Sequence, residues 1–273
     1  MSGKMNAKDR LILALDPNRE EIKKWMRTEP TNKVKEKIRE KVVSILDELE
    51  GEVGFVKVNY VSSMVPDIID IIQQRKIGVW LDGKYKDIPG TVEGWTMGAI
   101  LNNVDKITIH ADGGLKMIQY ATEIAKITKE IKQFRDIEIF AISVLTSIGP
   151  EVLSNELKIP GNLMNKVMVY AKLAEKGGVD GVVASAMESP VLARKLKSGM
   201  HIITPAITPN WAIKRDDQNK SRITTPYQAI ISGSTKIVVG SAIIDAETYG
   251  KTRIEAAQAI VAEIDQALTS RNF

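Results

Sequence analysis

The sequence predicts a single-domain (β/α)8 barrel, and three observations lead there. Short apolar runs alternate with helical patterns along the chain, and eight such runs are present. Strict alternation of this kind indicates a parallel sheet. Eight units in 273 residues suit a barrel, typically about 250 residues long. The runs are apolar almost throughout, as parallel strands covered on both faces should be. No linker, low-complexity tract or short repeat divides the chain. An open doubly wound sheet is the competing architecture.

The elements follow in order. Residues 11–15 (LILAL) form the first strand, ended by Asp16-Pro17. Residues 20–27 and 34–49 carry apolar side chains at helical spacing. Residues 53–58 (VGFVKV) give the second strand and 64–74 a helix. The third strand covers 77–81, and its helix runs from Thr91, placed to cap it, to about residue 102. Strand 106–110 precedes helix 115–132, and strand 137–145 precedes helix 163–176. Strand 181–184 with helix 190–197, and strand 201–204 with the short helix 226–232, continue the alternation. Strand 236–239 and the amphipathic helix 253–268 close it. An insertion is expected near 20–33 and a long loop near 206–225.

Composition excludes some classes. With no cysteine, disulfides, thiol nucleophiles and thiolate metal sites are ruled out. The net charge of +4 is small for this length, and Lys and Arg are interspersed with Asp and Glu, so nucleic acid is not an expected partner. The apolar runs are too short for a signal sequence or a membrane span, so a cytoplasmic protein is expected.

One stretch stands out, residues 79–92 (VWLDGKYKDIPGTV). An apolar strand ends there in four charges within six residues: Asp82, Lys84, Lys86 and Asp87. Strand alternation puts Asp82 and Lys84 on one face. In a (β/α)8 barrel the chemistry sits at such C-terminal strand ends. The other ends supply Asp16, Lys57 with Asn59, His110 with Asp112, Thr146 with Ser147, Thr204, and Gly240 with Ser241. Asp217 and Gln218 lie in the loop after the seventh strand.

Each has a plainer explanation as a loop cap or solvated charge. His110 is expected to be structural, Asp112-Gly113-Gly114 a turn, and Trp80 core or helix-facing. Tyr85 and Lys86 are given no role. Lys57 sits inside an apolar strand, where an unpaired ammonium is costly, so a carboxylate partner is required, with Asp16 and Asp82 as candidates. Asp16, Asp82 and Asp87 could in principle ligate Mg²⁺. The interleaved lysines argue against a metal, because they already neutralise those carboxylates.

Asp82-Gly83-Lys84 followed by Asp87-Ile88-Pro89-Gly90-Thr91 closely resembles the DxKxxDIPxT motif of the orotidine 5′-phosphate decarboxylase family. LILALD (11–16), FVKV (55–58), HADGG (110–114), VLTS (144–147), DGVVASAMES (180–189), TPAITP (204–209) and VVGSAI (238–243) resemble further family segments in the same order. The resemblance implies decarboxylation of orotidine 5′-phosphate to UMP without metal or cofactor. It implies that Lys57, Asp82, Lys84 and Asp87 form an alternating charge network, with Lys84 as proton donor. Asp16 would bind the ribose, Thr146 the pyrimidine, Gln218 base and phosphate, and Gly240 the phosphate through its backbone. Asp87 and Thr91 would reach into the partner subunit's site, which implies a homodimer.

Three departures from the family pattern concern the phosphate. Ser241 stands where relatives have an arginine, and Ala206 and Thr208 where Gly and Arg are common. The loop after Asp217-Gln218 is about two residues longer than usual, and Lys214, Arg215, Lys220 or Arg222 could take over the lost contact. Two other readings stay open. One is a Mg²⁺-dependent sugar-phosphate lyase of the same superfamily, a hexulose-phosphate synthase or keto-gulonate-phosphate decarboxylase. The other is a nucleotide-binding barrel without turnover.

Overall fold

A computed structural model describes residues 6–131, 133–213 and 224–270. Its eight strands hydrogen-bond in sequence order, and the order closes into a barrel. They are β1 (Leu11–Ala14), β2 (Phe55–Val58), β3 (Gly78–Tyr85), β4 (Lys106–His110), β5 (Glu138–Ile142), β6 (Gly181–Val183), β7 (His201–Thr204) and β8 (Lys236–Val239). The pairings recorded between β1 and β2, β1 and β8, and along β4 to β7 are all parallel. The predicted fold class therefore holds.

The helices are α1 (Arg19–Thr28), α2 (Thr31–Glu48), α3 (Val61–Met64), α4 (Ile68–Gln74), α5 (Pro89–Leu101) and α6 (Leu115–Glu130). They continue with α7 (Leu163–Gly177), α8 (Ser189–Lys195), α9 (Pro226–Ile231), α10 (Ser241–Ile244) and α11 (Arg253–Ser270). No helix among the described residues is long and apolar enough to cross a membrane.

Two compact units are distinguished. The first comprises Met1–Trp80, Ala206–Gln228 and Ile237–Phe273. Its core holds Leu13, Ile45, Leu46, Val56, Val239 and Ile264, all essentially inaccessible. The second comprises Leu81–Pro205 and Ala229–Lys236. There Ile107, Ile118, Phe140, Ala171, Val182 and Leu192 are fully buried.

Several boundaries differ from expectation for identifiable reasons. The helix expected over 64–74 is two helices, because Pro66 disfavours the helical region for Val65, which sits at φ −126°, ψ 87°. β5 stops at Ile142, short of the expected 145, where its partner β6 also ends, at Val183. β3 runs on to Tyr85, so Asp82 and Lys84 lie within the strand.

Thr91 does not cap α5. The helix begins at Pro89, with Ile88 as its N-cap residue. Proline has no N–H to leave unsatisfied and a φ already suited to the first helical position. The Thr91 N–H is taken up by the Ile88 carbonyl at 3.0 Å.

Candidate active site

In the first unit, the ends of β1, β2 and β8 come together. Ala14 pairs with Lys57, and the Leu15 N–H donates to the Lys57 carbonyl at 3.0 Å. A Cβ on Gly240 would stand 3.4 Å from that of Ala14, so Gly240 adjoins the same level. Lys57 is only 9% exposed, whereas Asp16, two residues past β1, is exposed.

Asp16 belongs to a short turn fixed at both ends. Beyond it the Asn18 side chain accepts from the N–H groups of Glu20 (3.0 Å) and Glu21 (3.3 Å), capping α1. The Tyr60 hydroxyl donates to the Pro17 carbonyl at 3.1 Å. Burial raises the Tyr60 pKa, Asp16 adds to the rise and Arg19 opposes it.

Gly240 precedes α10, and Ser241 is exposed at the start of that helix. The loop after β7 has its two ends tied together: Ile207 bridges Thr224, and the Thr208 N–H donates to the Thr224 carbonyl at 3.0 Å. Lys214, Arg215, Asp217, Gln218, Lys220 and Arg222 lie outside the described residues.

In the second unit, Asp82 and Lys84 meet as the sequence predicts. The Lys84 ammonium donates to Asp82 Oδ2 at 2.6 Å. Asp82 is 6% exposed, and the Lys84 side chain is about one-third accessible. The reason is not simple strand alternation, because Lys84 has φ +49°. That left-handed value costs a non-glycine residue roughly 1–2 kcal/mol.

Around this pair the structure adds three groups that the sequence left without a role. Lys86 donates to Asp112 Oδ2 at 2.6 Å, and His110 Nδ1 lies 3.5 Å from Asp112 Oδ1. Burial lowers the His110 pKa; Asp112 and Asp82 oppose that, and Lys86 and Lys84 reinforce it. His110 is thus within electrostatic reach of both predicted catalytic charges. The Asp112-Gly113-Gly114 turn exists, with Gly114 preceding α6, and its Asp112 also holds Lys86. The signal for these contacts was the charge spacing 84, 86, 112. Sequence spacing alone could not show that β3 and β4 carry them to one place.

Asp87 and Thr91 do not join the Asp82–Lys84 pair within their own chain. Asp87 is exposed, and its Oδ1 accepts from the Ile88 N–H at 2.7 Å. Thr146 is exposed beyond the end of β5. Thr204 is buried in a ring of hydroxyls with Ser234 (2.6 Å) and Ser189 (3.2 Å), a structural role. Trp80 is core, as expected. Among the described residues, no three His, Asp or Glu side chains are grouped as a metal site.

Comparison with known proteins follows the same lines. Residues 9–257 match the family model described as "Orotidine 5'-phosphate decarboxylase / HUMPS family". An orotidine 5'-phosphate decarboxylase of Heliobacterium modesticaldum is 33% identical over 98% of this chain and 100% of its own length. One from Staphylococcus aureus (strain Newman) is 38% identical over 79% of this chain and 92% of its own. The crystal structure of orotidine 5'-phosphate decarboxylase from Lactobacillus acidophilus superposes with a TM-score of 0.69 at 25% identity. It covers 94% of this chain and 99% of that one. On the strength of the motif at 82–91, the closed barrel and these matches, the chain belongs to the orotidine 5'-phosphate decarboxylase / HUMPS family.

Proposed function

We infer that the protein decarboxylates orotidine 5′-phosphate to UMP, the carboxy-lyase step that completes a pyrimidine nucleotide. The observation that carries this reading is the Lys84–Asp82 pair at 2.6 Å, followed directly by the Asp-Ile-Pro-Gly-Thr continuation. The sugar-phosphate lyases of the superfamily lack that continuation, and the relatives named above carry the orotidine activity in their names.

The chemistry follows from the charges. Loss of CO₂ leaves an electron pair on C6 of the pyrimidine ring. Lys84 is the cation that meets this charge and then gives C6 its proton. Asp82 lies beside the departing carboxylate, an arrangement unfavourable in the ground state and relieved as CO₂ leaves. Lys57 and Asp87 complete the fixed charges, so that little reorganisation is needed during the reaction. No metal or cofactor takes part in this scheme. Asp16 contacts the ribose, Thr146 the pyrimidine, Gln218 the base and phosphate, and Gly240 with Ser241 the phosphate.

A homodimer goes with this reading, with Asp87 and Thr91 serving the partner's site, and the whole chain acts as one domain in the cytoplasm. The support is the exposed apolar surface of the segment that carries those two residues. Ile88 and Leu101 are each 70% exposed, and Trp95 and Met97 of α5 are also exposed. Leu101→Glu should convert dimer to monomer in sedimentation and lower activity at least tenfold. A variant that stays dimeric and active would count against this interface.

The direct test is loss of the orotate absorbance when protein is added to orotidine 5′-phosphate, with and without EDTA. Turnover should persist with EDTA and vanish in Lys84→Ala. EDTA-sensitive turnover would favour the Mg²⁺-dependent lyases, and tight UMP binding without turnover the non-catalytic barrel.

A further inference from the structure

Three features converge on the backbone of Lys84. First, Lys84 is held at φ +49°, a value lysine rarely adopts. Second, the chain turns back there, so that the ring of Tyr85 lies over Gly83. A Cβ on Gly83 would stand 2.4 Å from Tyr85 Cε1 and Cζ and 2.8 Å from its hydroxyl oxygen. Gly83 itself has no positive φ. Glycine is therefore required at 83 because the ring needs the space, and its backbone conformation makes no such demand. Third, the Tyr85 ring is stacked on Trp95 of α5, with centroids 4.7 Å apart and planes 30° apart. One residue on, Lys86 is tied to Asp112 at 2.6 Å.

We propose that Tyr85, clamped between Gly83 and Trp95, is a positioning residue that holds Lys84 in its strained conformation and aims its ammonium. The role rests on the reading of Lys84 as the group that meets C6. Without the ring, the chain at 84 is free to relax to an ordinary extended φ. An extended φ would swing the lysine side chain away from its present line to Asp82. A misplacement of about 1 Å at a reacting group can lower the rate about 100-fold. Tyr85 touches no reacting atom, so substrate binding should be nearly untouched. Its hydroxyl plays no part, and the flat ring is what matters.

The experiment is a kinetic double-mutant cycle on Gly83 and Tyr85. Tyr85→Ala should lower kcat about 10- to 100-fold with KM changed less than about threefold, at unchanged melting temperature and oligomeric mass. Tyr85→Phe should keep kcat within about twofold of the unsubstituted protein. Gly83→Ala should lower kcat about tenfold by displacing the ring, and should cause no further loss when added to Tyr85→Ala. The proposal is overturned if Tyr85→Ala keeps full kcat, or if Tyr85→Phe falls as far as Tyr85→Ala. It also fails if the two losses simply multiply, or if kcat falls together with folded fraction or oligomeric mass. Absence of turnover in the unsubstituted protein would instead sink the decarboxylase reading itself, and this role with it.

Discussion

The second unit carries a lysine–carboxylate pair at each end of its strands, and the two pairs differ in exposure and in backbone geometry. Near the end of β3, Lys84 meets Asp82 at 2.6 Å, with the lysine partly open to solvent and its backbone at φ +49°. At the start of β4 and β5, Lys106 pairs with Glu138 across directly opposed strand positions, and there the lysine is sealed in. Lys106 needs no unusual φ, and around it His201 and Lys236 open β7 and β8, with Thr235 directly before β8. Thr235 Oγ ties His201 Nδ1 (3.2 Å), the Ile202 N–H (3.0 Å) and the Ile202 carbonyl (3.1 Å) into one knot. A lysine–carboxylate pair is thus relaxed and closed at one end, and strained and open at the other, where the chemistry is proposed.

The largest effect that separates the two ends is kinetic. Lys84→Met should lower kcat by at least about 10⁴-fold, the combined scale of a lost general acid and a lost electrostatic contact. Its melting temperature should move less than that of the next variant. Lys106→Met should leave activity per folded molecule unchanged and cost about 2 kcal/mol of stability. That is below the usual cost of breaking a buried pair, because Glu138 is partly exposed and keeps other cations nearby. Calorimetry should show a drop of about 4–8 °C. Equal kinetic damage in both variants would erase the distinction.

The chain has two histidines, and the two ends hold one each. Burial lowers the pKa of His201; Glu138 opposes this, and Lys236 and Lys106 lower it further. Both histidines therefore bind fewer protons folded than unfolded. Their stabilisation is complete above the free value of 6.5 and declines as pH falls toward the folded values. Burial alone would raise Glu138, but Lys106, His201 and Lys236 outweigh it and hold the carboxyl below 4.5. Its contribution is present above that value and lost as pH falls through the lower folded one.

His201→Gln should remove about 2–4 °C of the fall in Tm between about pH 7 and about pH 5, with the pH profile of kcat/KM unchanged. His110→Gln should flatten the same fall and also remove an inflection in kcat/KM below about pH 6.5. A His201 variant with an altered rate profile would break the separation of the two ends. The smallest effect expected is Thr235→Val, about 1–2 kcal/mol with normal kinetics, since it removes the hydroxyl that ties three groups.

Much of the barrel was legible because its signals are local. β4, β7 and β8 begin and end where the apolar runs do, and Asp82 and Lys84 were marked by charge at a strand end. What escaped depended on contacts distant in sequence or on backbone geometry. Nothing in the run 79–92 announces that Lys84 leaves the extended region. Equally, nothing in it tells that Tyr85 reaches Trp95 or that Lys86 reaches Asp112. The early end of β5 depends on where β6 stops, at Val183, far along the chain from Ile142. The cap at Thr91 was misjudged because a proline two residues earlier could already start the helix.

The turn at Asp16 has a consequence for binding. Asp16 sits between a buried strand that ends at Ala14 and a helix whose first turn is locked by Asn18, with Pro17 held by the Tyr60 hydroxyl. Ordering a free residue costs about 1–2 kcal/mol in backbone entropy. Here that cost is met once, on folding, so the carboxylate just past β1 would meet the ribose proposed for it already ordered.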